Sequence, residues 1–508
     1  MSAAISLEGL SLDSFRGHPV AVLGLARSGI ALARFLADRG ARVTVYDARS
    51  ATDLADGLAA LGDRAIEHAL GPDVDPAVVL AGQSLVLTSP SISSRYPTTE
   101  PRLRAALGAL EAAGVVPLVS EIDLFLRLCP SLTVGVTGTK GKTTTSSLCA
   151  AVLAGGADPV LLGGNIGTPL VERLPELTPR HRVVLELSEL QLPTLSRGTD
   201  VSVYTHVTSD HLDRHGTVAA YRAVKRRLAE LASADGVVLI NDEDPVSRAF
   251  VDAGPARTVR YTRGAPWPGG VGIVDGWVVA DRLERAAAVG GGTAMTGPRG
   301  RVLPLDSIPL PGTHNHSNVA AAVATGLLLG IAPDAIRRAV EAFRGVEHRL
   351  ELVAVADGVR YVNDSQGTQP DAVIAAVRSF PRPLVLIAGG RDKGVSMDAL
   401  ARAVAERVSA AVMIGESGPG LGQAFAAAGL ARVESAETLQ AAVVRADAIA
   451  RELAATAPDP GGEPATVLMS PAAASFDMFP DYAARGRAFK SAVADIVQAH
   501  RATRGVPA

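Results

Sequence analysis

The residues with the clearest chemical potential form a glycine-rich segment that directly follows the apolar run at residues 133–136. In sequence order they are Thr137, Gly138, Thr139, Lys140, Gly141, Lys142, Thr143 and Thr144. Between a strand and a helix, the backbone N–H groups of such a segment bind phosphate, Lys142 reaches the β- and γ-phosphates, and the Thr143 hydroxyl can bind Mg²⁺. Val136 stands where the general pattern has glycine, so we interpret the segment as a variant phosphate loop. An ordinary glycine turn is the alternative.

Elements able to position this loop recur in three blocks of alternating strand and helix patterns. The apolar runs predict strands at residues 20–23, 43–46 and 84–87, then at 133–136, 183–187, 201–207 and 237–240, and finally at 360–362, 384–388, 411–414 and 466–469. Such alternation predicts an α/β fold with parallel sheets wrapped by helices. The Gly- and Pro-rich stretch 255–311 is predicted to form short antiparallel strands and loops.

A second glycine motif lies in the first block, where residues 24–29 (GLARSG) follow a strand and Asp47 ends the next strand. This arrangement is typical of a dinucleotide-binding turn. The middle glycine of the pattern is replaced by Ala26, which hinders the close approach of a pyrophosphate. An NAD site, and with it an NAD-dependent oxidoreductase, is one interpretation. A purely structural turn between strand and helix is another.

The composition places these motifs in an ordinary globular protein. Hydrophobic residues make up 47% and charged residues 20%, and the net charge of −3 provides no overall attraction to nucleic acid or an anionic membrane. Cys129 and Cys149 are too few for a disulfide framework and fit a reducing compartment. The N-terminal residues lack a signal-peptide pattern, and the apolar stretch 319–332 is shorter than the roughly 20 residues that cross a bilayer. We expect a cytoplasmic monomer with neither nucleic-acid nor membrane partners.

Further residues outside the loop could bind or carry cations. Glu186 ends a strand with a buried pattern, where an unpaired charge would be costly and Mg²⁺ would neutralise it. A capping or ion-paired glutamate is the alternative. His206, His211 and His215 lie close in sequence, but no cysteine or glutamate completes a zinc pattern. Lys225 lies among arginines on an amphipathic stretch, which by itself indicates a cation on a solvent-exposed helix face.

A series of further motifs follows the phosphate loop in a fixed order. They are 163–167 (GGNIG), 186–192 (ELSELQL), 208–215 (TSDHLDRH), 221–225 (YRAVK), 314–318 (HNHSN), 348–351 (HRLE), 363–365 (NDS) and 470–475 (SPAAAS). Together with the phosphate loop, this series resembles the Mur ligase family, the ATP-dependent amide ligases of peptidoglycan precursor synthesis. No single motif decides the matter. The collinear match over nearly the whole chain is what carries the resemblance.

The resemblance implies both a fold and a reaction. The fold is α/β with three domains: an N-terminal Rossmann-like domain at 1–120, a central P-loop ATPase-like parallel sheet at 121–346 and a C-terminal Rossmann-like domain at 347–508. Within the family, the chain is most similar to members that use ATP and Mg²⁺ to join D-glutamate to UDP-N-acetylmuramoyl-L-alanine. One alternative is a related ligase that adds L-glutamate or another amino acid. The other is a P-loop ATPase or nucleotide-dependent binding protein that forms no bond.

The resemblance also implies roles for individual residues. ATP would be bound by the phosphate loop together with Asn318, Arg349 and Asp364. The catalytic residues would be Lys142, Glu186, His211 and Lys225. The metal ligands would be Thr143, Glu186, His211 and Lys225. In the family the matching lysine is carbamylated by CO₂, so we expect Lys225 to be a carbamate at a second Mg²⁺, because a hard cation prefers anionic oxygens to an ammonium.

The substrate-binding residues implied by the resemblance form two groups. The UDP-linked acceptor would contact Arg27, Ser28, Asp47, Arg49, Ser89 and Asn165. The amino acid would contact Thr368, Lys393, Ser475 and Tyr482. The family usually has lysine where this chain has Gln366 and phenylalanine where it has Tyr482. These departures leave the identity of the amino acid, and its D or L configuration, open at this point.

Overall fold

The computed structural model describes residues 4–167, 169–208, 215–310, 312–391, 397–455 and 463–503. The chain divides into two compact units, Met1–Phe343 and Arg344–Ala508. The first unit contains two sheets and the second contains one. In all three sheets parallel strands alternate with helices, so the predicted α/β class is confirmed.

The first sheet of the first unit consists of five parallel strands. They are β1 (Pro19–Leu23), β2 (Arg42–Asp47), β3 (Ile66–Leu70), β4 (Leu85–Thr88) and β5 (Leu118–Ser120). The helices between them are α1 (Arg27–Asp38), α2 (Ala55–Leu61), α3 (Pro76–Leu80) and α4 (Pro101–Ala113). Their spatial order is β3-β2-β1-β4-β5. Val20 and Val22 of β1 enter one apolar cluster, while Ala21 and Leu23 enter another, so both faces are covered and the strand is continuously apolar.

The second sheet of the first unit has nine strands. They are β6 (Leu132–Thr137), β7 (Val160–Gly164), β8 (Arg182–Glu186), β9 (Val201–Tyr204), β10 (Val237–Asn241), β11 (Arg257–Tyr261), β12 (Val271–Val274), β13 (Trp277–Ala280) and β14 (Arg301–Pro304). Their spatial order is β14-β13-β12-β11-β10-β9-β6-β8-β7. All neighbours pair in parallel except for β12, β13 and β14, which form an antiparallel edge.

Several helices within the described residues accompany this sheet. They are α5 (Glu121–Leu128), α6 (Lys142–Leu153), α7 (Val218–Glu230), α8 (Pro245–Arg248), α9 (Thr313–Leu328) and α10 (Pro333–Ala342). Residues 319–328 of helix α9 are mostly apolar and buried on all sides, and the helix packs along α6. A Cβ at Gly326 would lie 2.5 Å from Cγ1 of Val152, so only glycine lets the two helices approach this closely. Within the apolar stretch 319–332, residues 319–328 therefore form part of a buried core helix, and residues 329–332 follow its end.

The single sheet of the second unit has six strands. They are β15 (Glu351–Ala356), β16 (Val359–Asn363), β17 (Leu384–Gly389), β18 (Ala410–Ile414), β19 (Val433–Ser435) and β20 (Ala465–Met469). The helices are α11 (Pro370–Arg378), α12 (Asp398–Arg407), α13 (Gly418–Ala427), α14 (Leu439–Ala455) and α15 (Tyr482–Thr503). The order is β15-β16-β20-β17-β18-β19, and β15 alone is antiparallel to its neighbour.

The differences from the predicted elements have local causes. Strand β9 ends at Tyr204, before the predicted residue 207, because the chain then leaves the sheet and His206 pairs with Lys140. Strands β3, β5, β7, β15 and β19 were not predicted. Of these, β5 and β19 have only three residues, and polar residues interrupt β3. Within 255–311, β11 is parallel to β10 and β12 is parallel to β11, whereas the pairs β12–β13 and β13–β14 are antiparallel as predicted. The boundaries 1–120, 121–346 and 347–508 remain predictions.

None of the helices within the described residues combines the length and the apolar composition that crossing a bilayer would require.

A buried carboxyl group lies where the chain passes from the first sheet to the second. Glu121 is the first residue of α5 and is 4% exposed. Burial raises the pKa of Glu121 to about 7, although N–H groups of Val171 and Leu170 act in the opposite direction. Within the described part of the chain, its Oε1 atom has no hydrogen-bond partner. Folding therefore forces this carboxyl group towards its neutral form.

This burial predicts a pH-dependent loss of stability. Between its usual pKa of 4.5 and about 7, Glu121 binds more proton in the folded than in the unfolded chain, so the free energy of unfolding falls as pH rises through this window. In the parent protein the free energy of unfolding should fall by on the order of 3 kcal/mol across this window, and Glu121→Gln should abolish that fall. Urea-unfolding midpoints at several pH values measure this. The exposed Glu67→Gln serves as the control, and equal pH slopes for Glu121→Gln and the parent would contradict the prediction.

Candidate active site

The predicted phosphate loop connects the end of β6 to the start of α6. Gly138 has a φ of 152°, and a Cβ there would lie 2.0 Å from Oγ1 of Thr205. Gly141 has a φ of 88° and occupies the N-cap of α6. Residues that carry a side chain rarely adopt either backbone conformation, so the path of the loop depends on glycine at both positions. Val136, the departure from the general pattern, lies fully buried within β6.

Contacts from the segment after β9 hold this loop in place. The carbonyl of His206 accepts hydrogen bonds from the N–H groups of Thr139 (2.7 Å) and Lys140 (3.1 Å). The Thr139 hydroxyl lies 2.9 Å from the Tyr221 hydroxyl. Lys142 Nζ donates to the carbonyls of Gly138 and Thr139, each at 3.0 Å, so its ammonium is held against the loop. Phosphate oxygens would offer this ammonium stronger, charge-assisted bonds.

Asn318 lies directly beside the phosphate loop, although it is far away in sequence. It belongs to α9, and its Oδ1 atom accepts a hydrogen bond from the Thr145 hydroxyl of α6 at 3.1 Å. A Cβ at Gly141 would lie 2.8 Å from the same oxygen. The packing of α9 on α6 thus brings one predicted ATP residue to the loop. Thr143, a predicted metal ligand, is buried in the first turn of α6.

Glu186 ends β8, the strand next to the phosphate-loop strand, and is 2% exposed. Its Oε1 atom accepts a hydrogen bond from Nδ2 of Asn165 at 2.8 Å. Its Oε2 atom is buried and has no hydrogen-bond partner among the residues that the structure describes. A buried carboxylate oxygen left without a donor fits a hard cation such as Mg²⁺, and the Thr143 hydroxyl is a second oxygen donor of suitable chemistry.

The approach of Asn165 to Glu186 depends on backbone geometry. The N–H of Asn165 donates to the Glu186 carbonyl at 2.8 Å. Gly164 has a φ of 88°, and a Cβ there would lie 2.3 Å from that carbonyl. The glycine before Asn165 therefore allows the predicted substrate residue to bond to the predicted metal ligand through both main chain and side chain.

Lys225 corrects the interpretation drawn from its sequence neighbourhood. Instead of facing solvent, its side chain is fully buried on α7. Nζ lies 3.4 Å from Oγ1 of Thr137, the last residue of β6, and 5.5 Å from the centre of the Tyr221 ring. The buried positions of α7 are Tyr221, Lys225, Leu228 and Ala229. This spacing of four, three and one is a helical stripe, so the sequence contained the signal for burial.

His206 and His215 have different surroundings, and His211 is outside the described residues. His206 is half exposed, with Nδ1 3.8 Å from Oδ1 of the buried Asp244. The ring of His215 meets the ring of Tyr221 edge-on, with centroids 5.6 Å apart. His211, predicted to be catalytic and to bind metal, lies outside the described residues.

The residues predicted to hold the UDP group follow the carboxyl ends of the first-sheet strands. Asp47 ends β2, and its carboxylate accepts hydrogen bonds from the Leu25 N–H at 2.9 Å and from Arg49 at 2.8–3.1 Å. Burial raises the pKa of Asp47, but these bonds outweigh it and leave the pKa below its usual value. Asp47 is thus already bonded to Leu25 and Arg49, which differs from an acidic residue reserved for a ribose.

The other predicted acceptor residues lie at the same edge of the first sheet. Arg27 begins α1 and donates a hydrogen bond to the carbonyl of Gly167, two residues after Asn165. Ser28 follows it and is half-buried. Ser89 follows β4, with its hydroxyl 3.2 Å from that of Ser91. Ligands of parallel sheets bind at this edge.

In the second unit, the predicted ATP residue Asp364 follows β16. Its Oδ2 atom accepts a hydrogen bond from the Ser470 hydroxyl at 2.6 Å, and its Oδ1 atom accepts one from the Leu350 N–H at 3.2 Å. Burial raises the pKa of Asp364 to about 6. Arg349 lies close enough to lower that pKa in part. The structure therefore brings these two predicted ATP residues together.

Of the predicted amino-acid residues, Thr368 follows β16 and Ser475 follows β20. Thr368 is half-buried, Ser475 is 3% exposed, and Tyr482 begins α15 with 37% of its surface exposed. Lys393 lies outside the described residues.

One functional candidate was missed by the sequence reasoning. Arg485 is 1% exposed and donates to the hydroxyl (3.0 Å) and carbonyl (2.9 Å) of Ser365 and to the carbonyl of Ala473 (3.2 Å). Burial lowers the pKa of Arg485 to about 10. The Ser365 hydroxyl in turn donates to the Tyr482 carbonyl at 2.7 Å. The spacing of three residues from Tyr482 on α15 is the only sequence signal for this link.

Three stretches of the chain match family profiles. Residues 18–109 match the MurD-like N-terminal domain of Mur ligases, residues 136–326 match the Mur ligase middle domain, and residues 348–473 match the Mur ligase glutamate ligase domain. The three matches follow the same order as the three sheets.

Curated relatives match almost the whole chain, and solved structures share its fold. UDP-N-acetylmuramoylalanine–D-glutamate ligases are 38% identical in Symbiobacterium thermophilum and 39% identical in Roseiflexus sp. (strain RS-1), each over 93% of this chain and 97% of theirs. The fold is similar to UDP-N-acetylmuramate–alanine ligase from Thermotoga maritima (TM-score 0.53, 18% identity, 94% of this chain and 99% of that one). It is also similar to MurF from Acinetobacter baumannii (TM-score 0.51, 15% identity, 90% and 91%).

Profiles of one family thus cover most of the chain in their expected order, and relatives of that family match almost its full length. The chain belongs to the Mur ligase family.

Proposed function

We propose that this protein uses ATP to join D-glutamate to UDP-N-acetylmuramoyl-L-alanine. The observation that carries the proposal is the near full-length match to relatives named for this reaction. The site geometry supports it, because the phosphate loop, Glu186 and Asn165 meet at one edge of the central sheet. Cytoplasmic location, a monomeric state and domains at 1–120, 121–346 and 347–508 complete the proposal.

The reaction has two steps. A carboxylate oxygen of the L-alanyl group attacks the γ-phosphorus of ATP, the bond to the bridging oxygen breaks, and an acyl phosphate and ADP form. The α-amine of D-glutamate then attacks the acyl carbon, the C–O bond to phosphate breaks, and the amine loses a proton as the amide forms. Phosphoryl transfer of this kind is accelerated mainly by positioning and by stabilisation of charge.

Several residues of this chain would position the reactants of the first step. Lys142, held against the loop by two carbonyls, would exchange them for phosphate oxygens. Asn165 bonds to Glu186 and would orient the acceptor beside it. Mg²⁺, when bound by Thr143 and Glu186, would neutralise charge on the phosphate oxygens. His211 is proposed as a further ligand on the resemblance alone.

The substrate residues are proposed in the same way. Arg27, Ser28, Asp47, Arg49 and Ser89 would hold the UDP group at the edge of the first sheet. Asn318, Arg349 and Asp364 would contact ATP. The amino acid would be held by Thr368, Lys393, Ser475 and Tyr482. Gln366 and Tyr482 are the departures from the family pattern, so a test of the amino-acid substrate must include both enantiomers of glutamate.

The direct test is an assay of purified protein with Mg²⁺, ATP and UDP-N-acetylmuramoyl-L-alanine. We expect phosphate release to require D-glutamate, with L-glutamate and other amino acids far less effective. Mass spectrometry should detect the new amide. Efficient use of L-glutamate would indicate the related ligase. ADP formation without an amino acid requirement, and without an amide, would indicate an ATPase and contradict the proposal.

A further prediction concerns the buried Oε2 atom of Glu186, which has no hydrogen-bond partner among the described residues. Glu186→Gln keeps an oxygen for Asn165 but removes the charge offered to Mg²⁺, so we expect kcat to fall by about 100-fold or more. The Mg²⁺ concentration needed for half-maximal rate should rise. The exposed Glu176→Gln should behave like the parent protein. Unchanged Mg²⁺ dependence in a folded Glu186→Gln protein would contradict the role as ligand.

We also propose that Lys225 is carbamylated. Its amine is buried beside the last residue of the phosphate-loop strand, where a second Mg²⁺ would meet an ammonium unfavourably and a carbamate favourably. The modification would convert a buried cation into an anionic oxygen ligand without any change in sequence.

Lys225 is tested by depletion of CO₂. We expect activity to fall in bicarbonate-free buffer and to return when bicarbonate is added, and labelled bicarbonate should give a carbamate signal by NMR. Lys225→Arg keeps a cation but cannot be carbamylated, so it should lose both the signal and the bicarbonate dependence. An active Lys225→Ala protein, or activity indifferent to CO₂, would contradict the proposal.

A further inference from the structure

The residues 347–350, here called the Arg349 turn, have an unusual backbone. His348 has a φ of 64° and Leu350 has a φ of 45°. Neither residue is glycine. Residues with a side chain rarely adopt this left-handed backbone conformation, and surrounding contacts are needed to hold it. Arg349 lies between the two residues, so its direction depends on whatever maintains the turn.

Two carboxylates and one carbonyl satisfy the N–H groups of the turn. Glu351 Oε2 accepts from the His348 N–H at 2.9 Å, and Asp364 Oδ1 accepts from the Leu350 N–H at 3.2 Å. The Arg349 N–H donates to the Val346 carbonyl at 3.1 Å. The left-handed conformation is therefore fixed from both sides of Arg349.

Glu351 is itself held by donors from other parts of the second unit. Asn363 Nδ2 donates to its Oε2 atom at 3.0 Å, and Lys490 Nζ donates to its Oε1 atom at 2.8 Å. Lys490 also donates to Oε1 of Glu347 at 3.0 Å. Lys490 belongs to α15, so one cation ties that helix to the first residue of the turn and to the residue after it.

The His348 ring locks the turn from inside. It is 3% exposed, and its Nδ1 atom lies 2.9 Å from Asn363 Nδ2. Burial lowers the pKa of His348, so Nδ1 of the neutral ring accepts this bond. A Cβ at Gly486 would lie 2.2 Å from Nδ1, so only glycine on α15 leaves room for the ring.

Gln366, where the family usually has lysine, also contacts this turn. Its N–H donates to the His348 carbonyl at 3.0 Å, and its Nε2 atom donates to the Glu347 carbonyl at 3.3 Å. The cation beside the turn in this chain is provided by Lys490, which comes from a different element.

We propose that Glu351 and Lys490 are positioning residues for Arg349. Their ion pair maintains the left-handed turn and thereby sets the direction in which Arg349 meets ATP. The inference rests on the proposed function, in which Arg349 contacts ATP. It adds a specific role for Lys490, a residue outside all of the sequence motifs. Lys490 lies on α15, the helix that begins at Tyr482.

The test compares Lys490→Met, Lys490→Arg and Glu351→Gln in the full-length protein. We expect Lys490→Met and Glu351→Gln to raise KM for ATP at least about three-fold, while KM for D-glutamate changes less than about two-fold. Lys490→Arg should restore KM for ATP because it keeps the charge and the donor. Arg445→Met, which removes a surface pair with Glu434 elsewhere in the same unit, is the matched control and should match the parent.

Direct binding of a fluorescent ATP analogue separates this inference from the proposed function. If the parent protein forms no amide but Lys490→Met still weakens analogue binding, the proposed reaction fails and the positioning role stands. Analogue affinity and KM values equal to those of the parent in Lys490→Met would overturn the inference. So would an equal rise in both KM values together with a lower unfolding midpoint, because that pattern indicates general loss of structure.

Discussion

Burial of charge at the carboxyl edge of the central sheet is the constraint on which the site depends. Glu186 and Lys225 are almost or fully inaccessible, and both lie next to the strand that carries the phosphate loop. Buried charges are costly unless oppositely charged groups or metal ions compensate them. Under the proposed function, a divalent cation would supply the partner that the buried Oε2 atom of Glu186 lacks among the described residues.

Glycines allow neighbouring segments to approach each other closely at this edge of the central sheet. Gly138 lets the loop meet the segment after β9, Gly164 lets Asn165 reach Glu186, and Gly326 lets α9 reach α6. In each case a Cβ would lie within about 2.5 Å of another atom, which no ordinary packing tolerates. Asn318 consequently reaches the loop on a helix that is rigidly packed, so its position depends on the core as well as on local sequence.

The sequence predicted what short-range patterns encode. The phosphate loop, the buried end of β8 and the apolar strands were all recognisable, because each depends on residues a few positions apart. Lys225 was assigned to solvent because its arginine neighbours dominate the composition, although its spacing from Tyr221 and Leu228 places it on the buried stripe. Arg485 and the Lys490–Glu351 pair could not be predicted, since their contacts join residues more than a hundred positions apart and follow from helix docking.

Strand β15 has a consequence for how the second unit avoids self-association. It ends the sheet, and it carries exposed Leu352 and Val355 on a backbone edge that a strand of another molecule could extend. Its register shifts between Leu352 and Ala354, so the hydrogen-bonding groups along that edge are unevenly spaced. Irregularities of this kind discourage edge-to-edge polymerisation. We therefore expect the register shift to discourage strand addition at β15, which begins immediately after the Arg349 turn.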